Sequence, residues 1–271
     1  MPPVLGARTL DHVTRLVILA LAIAAFGGCD AQPPAPPSND PSIAAELTAT
    51  SSALRDAIAA WRRHGDPATG DAPPDVAKLA ARVDRIHRTL AEHRRLARRT
   101  LRQLNGTVRA QARDVIAARR ALAVLNRPRP GQKQPKLRHG PPEPADVLRG
   151  HYREARERSG VSATLLAAVN LVESDFGRVR NNSVAGAQGP MQFMPATWRS
   201  YGRGGDVHDP RDAILGAARL LAESGAQHDE AGSLYRYNPS ALYVTAVSRY
   251  ARVMRRDPLA YYALYASGAG A

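Results

Sequence analysis

Wherever apolar residues in this chain form a pattern, they recur at spacings of three and four, and nowhere do they alternate convincingly at two. That periodicity puts them on one face of an α-helix and excludes a half-buried sheet, so the fold class is mainly α. Ile43, Leu47, Thr50, Leu54, Ala57 and Trp61 form a first run, which stops at the turn-rich stretch HGDPATGDAPP. A second holds Leu79, Val83, Ile86, Leu90, His93 and Ala97, then Leu101, Leu104, Val108, Gln111, Val115, Ala118, Leu122 and Leu125. This is heptad spacing with one four-residue stutter. Asn105-Gly106-Thr107 could end one helix and cap the next, but the unbroken apolar phase favours one long helix paired with the first. Residues 42–126 thus read as a narrow helical coil or hairpin stalk.

Charge is unevenly spread over the 271 residues, whose formal net charge is +14. Residues 42–126 carry 16 basic against 8 acidic side chains, whereas residues 141–271 carry 15 against 13. The second half therefore need not bind anything strongly anionic. In the first half, Arg94, Arg95, Arg98, Arg99 and Arg102 crowd one segment. They suit anionic lipid head groups or anionic envelope polymers, and equally a solvated helix surface. Nucleic acid is set aside for an exported chain.

Export is read from the start of the chain. Arg8 and Arg15 precede the apolar run 16–26, followed by Gly27, Gly28 and the lone Cys29. A charged start, a short apolar core and small residues describe a signal peptide over 1–28. The run is too short for a typical membrane span of about 20 residues. Small residues before a single cysteine resemble the lipobox of bacterial lipoproteins, with Phe26 as a departure, so Cys29 is the expected lipidation site and the membrane an expected partner. Residues 29–41 are a proline-rich tether and residues 127–145 a second, semi-rigid linker. Beyond it, periodic segments near 146–158, 163–176, 210–224 and 240–256 predict a compact helical domain over 146–262, with a disordered tail over 263–271.

The chemistry concentrates in three places. In LLAAVNLVESDFG, residues 165–177, Glu173 falls on the same face as Leu166, Val169 and Asn170. Ser162 suits an N-cap and Gly177 a C-terminal breaker. A carboxyl on an apolar face is either a structural carboxylate paired with a cation or an acid whose pKa burial has raised. Next comes VAGAQGPMQFMPATWRSYG, rich in backbone donors, with Gln192 and the flat faces of Phe193, Trp198 and Tyr201. The third is SLYRYNPSALY, with Tyr235, Tyr237 and Asn238. Neutral hydrogen-bonding groups among aromatics suit a carbohydrate cleft, and suit a loop packed on a core as well. Zincin, serine-hydrolase and phosphate-loop motifs do not occur. His208 and His228 lack ligand spacing, and Asp206, Asp209 and Asp212 do not fit a calcium loop, the last two serving better as helix-capping residues. No metal and no cofactor are expected.

The order ES, AGAQGPMQFMPATW, YN resembles the lytic transglycosylase domain, in its soluble and B-type branches, over about 146–256. Pro190 and Arg236 depart from the usual leucine and alanine. The resemblance implies a lysozyme-like helical fold and cleavage of peptidoglycan glycan strands between N-acetylmuramic acid and N-acetylglucosamine, with a 1,6-anhydro product. It implies Glu173 as catalytic acid and base, Ser174 helping to hold it, and Met191 and Gln192 at the flanking subsites. Tyr237 would lie near the carboxyl and Asn238 would hold the N-acetyl group. Arg236 would reshape one cleft edge. Asp175 lies about 200° round the helix from Glu173 and points elsewhere. A hydrolytic muramidase on the same fold and a non-catalytic glycan-binding module on a stalk are the alternative readings. With a stalk that only spaces the domain from the membrane, deletion of 42–126 would leave activity on isolated glycan intact.

Overall fold

The computed structural model describes residues 42–127 and 136–268. The signal peptide, the tether, Cys29 and residues 269–271 lie outside the described residues. Eleven helices account for the regular structure described, and no sheet is found among those residues. The first half forms α1 (Ser42–His64), α2 (Pro74–Glu92), α3 (Arg94–Gln103) and α4 (Gly106–Leu125). The second forms α5 (Ala145–Ser159), α6 (Ala163–Ser174), α7 (Pro195–Tyr201), α8 (Pro210–Glu223), α9 (Glu230–Tyr237), α10 (Ala241–Arg256) and α11 (Leu259–Ser267).

The single long helix expected over the run Leu79 to Leu125 is broken twice. His93 leaves helical geometry at ψ 89°, and Leu104 and Asn105 are extended before Gly106 turns at φ +52°. Asn105-Gly106 is the local cause of the second break, because a left-handed residue suits glycine. The heptad phase survives both breaks because α3 and α4 fold back on α1 and α2. Depth also differs from the stripe. Val76, Ala80 and His87 of α2 are buried, whereas Leu79, Val83 and Ile86 are half-buried. Helix α2 packs against α1, α4 and α11, so its buried face is wider than a two-helix seam requires.

Nor is the first half a stalk set apart from the second. Helix α4 lies along α10, and α2 and α1 lie on α11. Leu54, Ile58, Trp61, Val76, Val115 and Ala118 belong to the same contiguous core as Tyr152, Leu166, Val169 and Tyr243. Trp61 meets Tyr262 edge-on, with centroids 5.7 Å apart. The charges expected to face solvent partly serve this seam. Asp114, fully buried on α4, accepts from Arg249 at 2.6 Å and Arg256 at 3.1 Å on α10. Asp257 accepts from Arg55 and, at 2.9 Å, from Gln111. Residues 42–126 form a cap sharing the domain's core.

Two smaller expectations also change. The second half of the linker lies against the domain: Gly140 N donates to the Arg178 carbonyl at 2.9 Å, and His139 bridges to Val179. The tail is helical as far as Ser267, with Tyr265 and Ala266 buried, so the domain runs past residue 262.

Candidate active site

Helix α6 is the buried centre of the domain, packed on α5, α8 and α10. Leu165 through Asn170, Val172, Glu173 and Ser174 are all buried, so this helix is covered nearly all round and not on one stripe alone. Ser162 occupies the N-cap, but its hydroxyl meets Thr164 Oγ1 at 2.9 Å and makes no cap bond. The helix ends at Ser174, because Asp175, Phe176 and Gly177 all take positive φ and reverse the chain. Ser174 Oγ donates to the Pro190 carbonyl at 2.6 Å and accepts from Gly177 N at 2.9 Å. Asn170 Nδ2 donates to the same carbonyl at 2.9 Å, and Asn170 Oδ1 accepts from Tyr152 at 2.6 Å. The ES pair is thereby fastened to the following loop by the serine and by an asparagine one turn earlier.

That loop is a tight hairpin in which Gln188 and Phe193 exchange backbone hydrogen bonds at 2.8 Å. Gly189 at its turn has φ +73°, and a Cβ there would lie 1.9 Å from the Val207 carbonyl oxygen. Gly189→Ala is expected to cost about 2 kcal/mol or more and to displace Met191 and Gln192, as a urea-unfolding midpoint would register. Gln192 itself sits at φ +50° and donates to the Gly189 carbonyl at 2.9 Å. Met191 is fully buried, and its carbonyl accepts from Tyr237 OH at 2.6 Å. Phe193 is a core residue packed edge-on to Trp198 and Tyr237. Tyr235 is exposed. Arg236 reaches back to the Ser224 carbonyl at 2.7 Å, which ties α9 to the end of α8.

Tyr243, not singled out from the sequence, is the group that touches Glu173. Its hydroxyl donates to Glu173 Oε1 at 2.7 Å, and its ring stacks on Tyr237 at 6.3 Å and 3°. The signal lay in the quoted stretch SLYRYNPSALY, but position on a helix decides it. Ser240 caps α10 by accepting from Tyr243 N, which puts Tyr243 in the first turn, facing α6.

Glu173 is fully buried and makes no ion pair among the described residues. Burial pushes its pKa up to about 8, while the Tyr243 hydrogen bond acts in the opposite sense. Oε2 has no protein hydrogen-bond partner, and neither do Gln192 Oε1 and Asn238 Nδ2. Unpartnered buried polar atoms are costly and need an explanation. These three belong to the three sequence motifs, which the structure knits together through Ser174–Pro190, Tyr237–Met191 and Tyr243–Glu173. Asp175 turns the other way. It lies 3.6 Å from Arg178, and a Cβ on Gly268 would approach its Oδ2 to 2.3 Å. Burial raises the Asp175 pKa to about 6 against the opposing charges of Arg178 and Arg119. No cluster of His, Cys, Asp and Glu among the described residues could hold a metal ion. His208 and His228 are exposed, and Asp209 caps α8 by accepting from Asp212 N at 2.8 Å.

Helix α6 thus presents a buried carboxyl that leans to the neutral form, with a tyrosine and no cation as its partner. Residues 151–270 match the family model of the transglycosylase SLT domain, which supports a lytic transglycosylase domain of the lysozyme-like, all-helical kind over this part of the chain. Comparison with curated proteins and with solved structures gives no match. The family acts on peptidoglycan.

Proposed function

We propose that this protein cleaves peptidoglycan glycan strands between N-acetylmuramic acid and N-acetylglucosamine, with Glu173 as general acid and then base. The observation that carries the reading is the division of labour on one carboxyl. Oε1 is occupied by the Tyr243 hydroxyl, so the proton of the neutral acid resides on Oε2, which has no protein partner. With a pKa near 8 the acid is mostly protonated at neutral pH.

Oε2–H donates to the glycosidic oxygen as the C1–O bond breaks. The resulting carboxylate takes the proton of the muramic acid 6-hydroxyl, whose oxygen bonds to C1 and closes the 1,6-anhydro ring. The glutamate is regenerated protonated and no water is consumed. The attack is intramolecular, so ring closure substitutes for a positioned nucleophile. Ordinary glycosidases use two carboxyl groups flanking the bond, and the nearest candidate here, Asp175, faces Arg178. Since Oε2 is covered, a glycan reaches it only as the covering side chains give way. Gln192 and Asn238 supply the neutral amide donors and acceptors for the sugar substituents. Met191, Tyr237 and Ser174 hold those groups in register with the acid. The reading places the enzyme in the cell envelope, where Cys29, lipidated after removal of residues 1–28, would anchor it.

Mass spectrometry of digested wall material tests the reaction. Anhydro-muramic ends are expected, whereas reducing muramic ends would make the protein a hydrolase. Tyr243→Phe removes the hydrogen bond that favours the ionised carboxyl. It is expected to lower turnover about 10-fold and to move the alkaline limb of the pH profile up by about one unit. A limb that moved down or stayed in place would remove Tyr243 from the account.

A further inference from the structure

The arginine-rich helix α3 is linked to α6 and Glu173 through two intervening helices. Its packing partners are α1, α2 and α4; α4 in turn lies on α10, and α10 on α6. In RRLARRTLRQ the buried residues are Ala97 and Thr100, with Leu96 and Leu101 half-buried, which leaves Arg94, Arg95, Arg98 and Arg102 on the exposed face. None of these four forms an ion pair among the described residues. Other arginines of the first half do find acids: Arg55 with Asp257, Arg82 with Glu46, and Arg119 with Asp84. The carbonyls at the end of α2 offer no compensation, since Arg120 already donates to Leu90 O at 2.9 Å and Ala91 O at 2.8 Å. Burial lowers the Arg120 pKa, and the positive charges of Arg94 and Arg98 lower it further. This corner of the molecule carries concentrated, uncompensated positive charge.

Its position relative to the chain is the second observation. Ala97 of α3 shares a small separate core with Ile43, Ala44 and Leu47 from the first turns of α1. The arginine face therefore lies beside the point where the chain enters α1. Only residues 30–41 separate that point from Cys29, the expected lipid attachment, a reach on the order of 40 Å at full extension.

We propose that the exposed face of α3 is a docking surface for an anionic phospholipid bilayer. A bilayer satisfies both features at this end of the molecule, taking the lipid of Cys29 and attracting the arginines, whereas a soluble polyanion satisfies only the arginines. Stable membrane attachment takes two such signals. Docked through α3, the molecule meets the lipid with its cap, α4 and α10 come between the lipid-facing helix and α6, and the orientation is set by the cap and not by the proline-rich tether.

The test is co-sedimentation of the full chain with vesicles of phosphatidylcholine alone and of phosphatidylcholine with one third phosphatidylglycerol. The full chain is expected to prefer the anionic vesicles, and the preference to weaken as salt rises. Joint replacement of Arg94, Arg95, Arg98 and Arg102 by glutamine is expected to cut binding to anionic vesicles by roughly 100-fold or more, and replacement by lysine to preserve it. Unchanged melting curves show that the exposed substitutions leave the fold intact. Equal binding to both vesicles, or a glutamine variant that keeps the preference, would overturn the proposal. So would arginine-dependent retention on immobilised heparin without a preference for anionic lipid, which assigns the face to a soluble polyanion. The readout does not involve glycan cleavage, so it stands or falls apart from the role of Glu173.

Discussion

Glu173→Gln is expected to lower glycan cleavage by roughly 100- to 10,000-fold while leaving a folded protein that is more stable in alkaline solution than the original. The two effects have one cause. In the folded protein the carboxyl titrates near pH 8, and unfolded it titrates in the ordinary glutamate range, near 4.5. Between those values the native state holds a proton that the unfolded state has released, so stability falls as pH rises through this window. Above pH 8 the loss is complete, because the native state must then bury a charge or unfold. Glutamine cannot ionise, and its side-chain oxygen can still accept from Tyr243. The stability difference in favour of the variant should be near zero below pH 4.5, grow between 4.5 and 8, and level off at up to about 5 kcal/mol above that. Parallel melting curves at pH 5, 7 and 9 check the sign. A variant less stable at pH 9 would mean that the carboxyl is a structural anion, and retained cleavage would end the enzymatic reading.

Removal of residues 42–126 should have the larger structural effect. The truncated chain is expected to lose cooperative unfolding and to fall at least 100-fold in activity on isolated glycan. The cap contributes Leu54, Ile58, Trp61, Val76 and Val115 to the common core, each contributing about 1.5–3 kcal/mol when buried. That sum rivals the whole stability of a typical domain, about 5–15 kcal/mol. The loss also strips the α4 side of α10, the helix whose first turn holds Tyr243 against Glu173. Asp114→Ala is the milder version, because it leaves Arg249 and Arg256 facing the seam without their shared acceptor. A loss of about 2–4 kcal/mol is expected from it. A truncated chain that melts sharply and digests glycan normally would restore the picture of a detachable stalk.

Much of the site was legible in the sequence because its groups lie in short local motifs. Helix periodicity placed Glu173 on the face of Leu166, Val169 and Asn170, and all four are buried. The turn chemistry of Gly189 and the capping by Asp209 are local too, set by a backbone angle and a side chain three residues from its acceptor. The contacts of Arg236 and Tyr243 escaped the sequence for the opposite reason. Their partners, Ser224 and Glu173, lie on other helices, and no spacing rule reaches them.

The residue order alone determined the mainly helical class, the amphipathic faces of the first half, the buried position of one glutamate and the three motifs around it. These follow from periodicities of a few residues and from backbone chemistry. The tertiary structure decided what the apolar faces meet. Heptad spacing states that a helix needs a partner and is silent on which, so α2 and α4 could pair with each other alone or with α10 and α11 as well, and burial of a larger common core selects the second. It also decided that the acid keeps company with a tyrosine from 70 positions further along the chain and with no cation; burial without a cation holds the proton in place, against the opposing pull of the tyrosine's hydrogen bond.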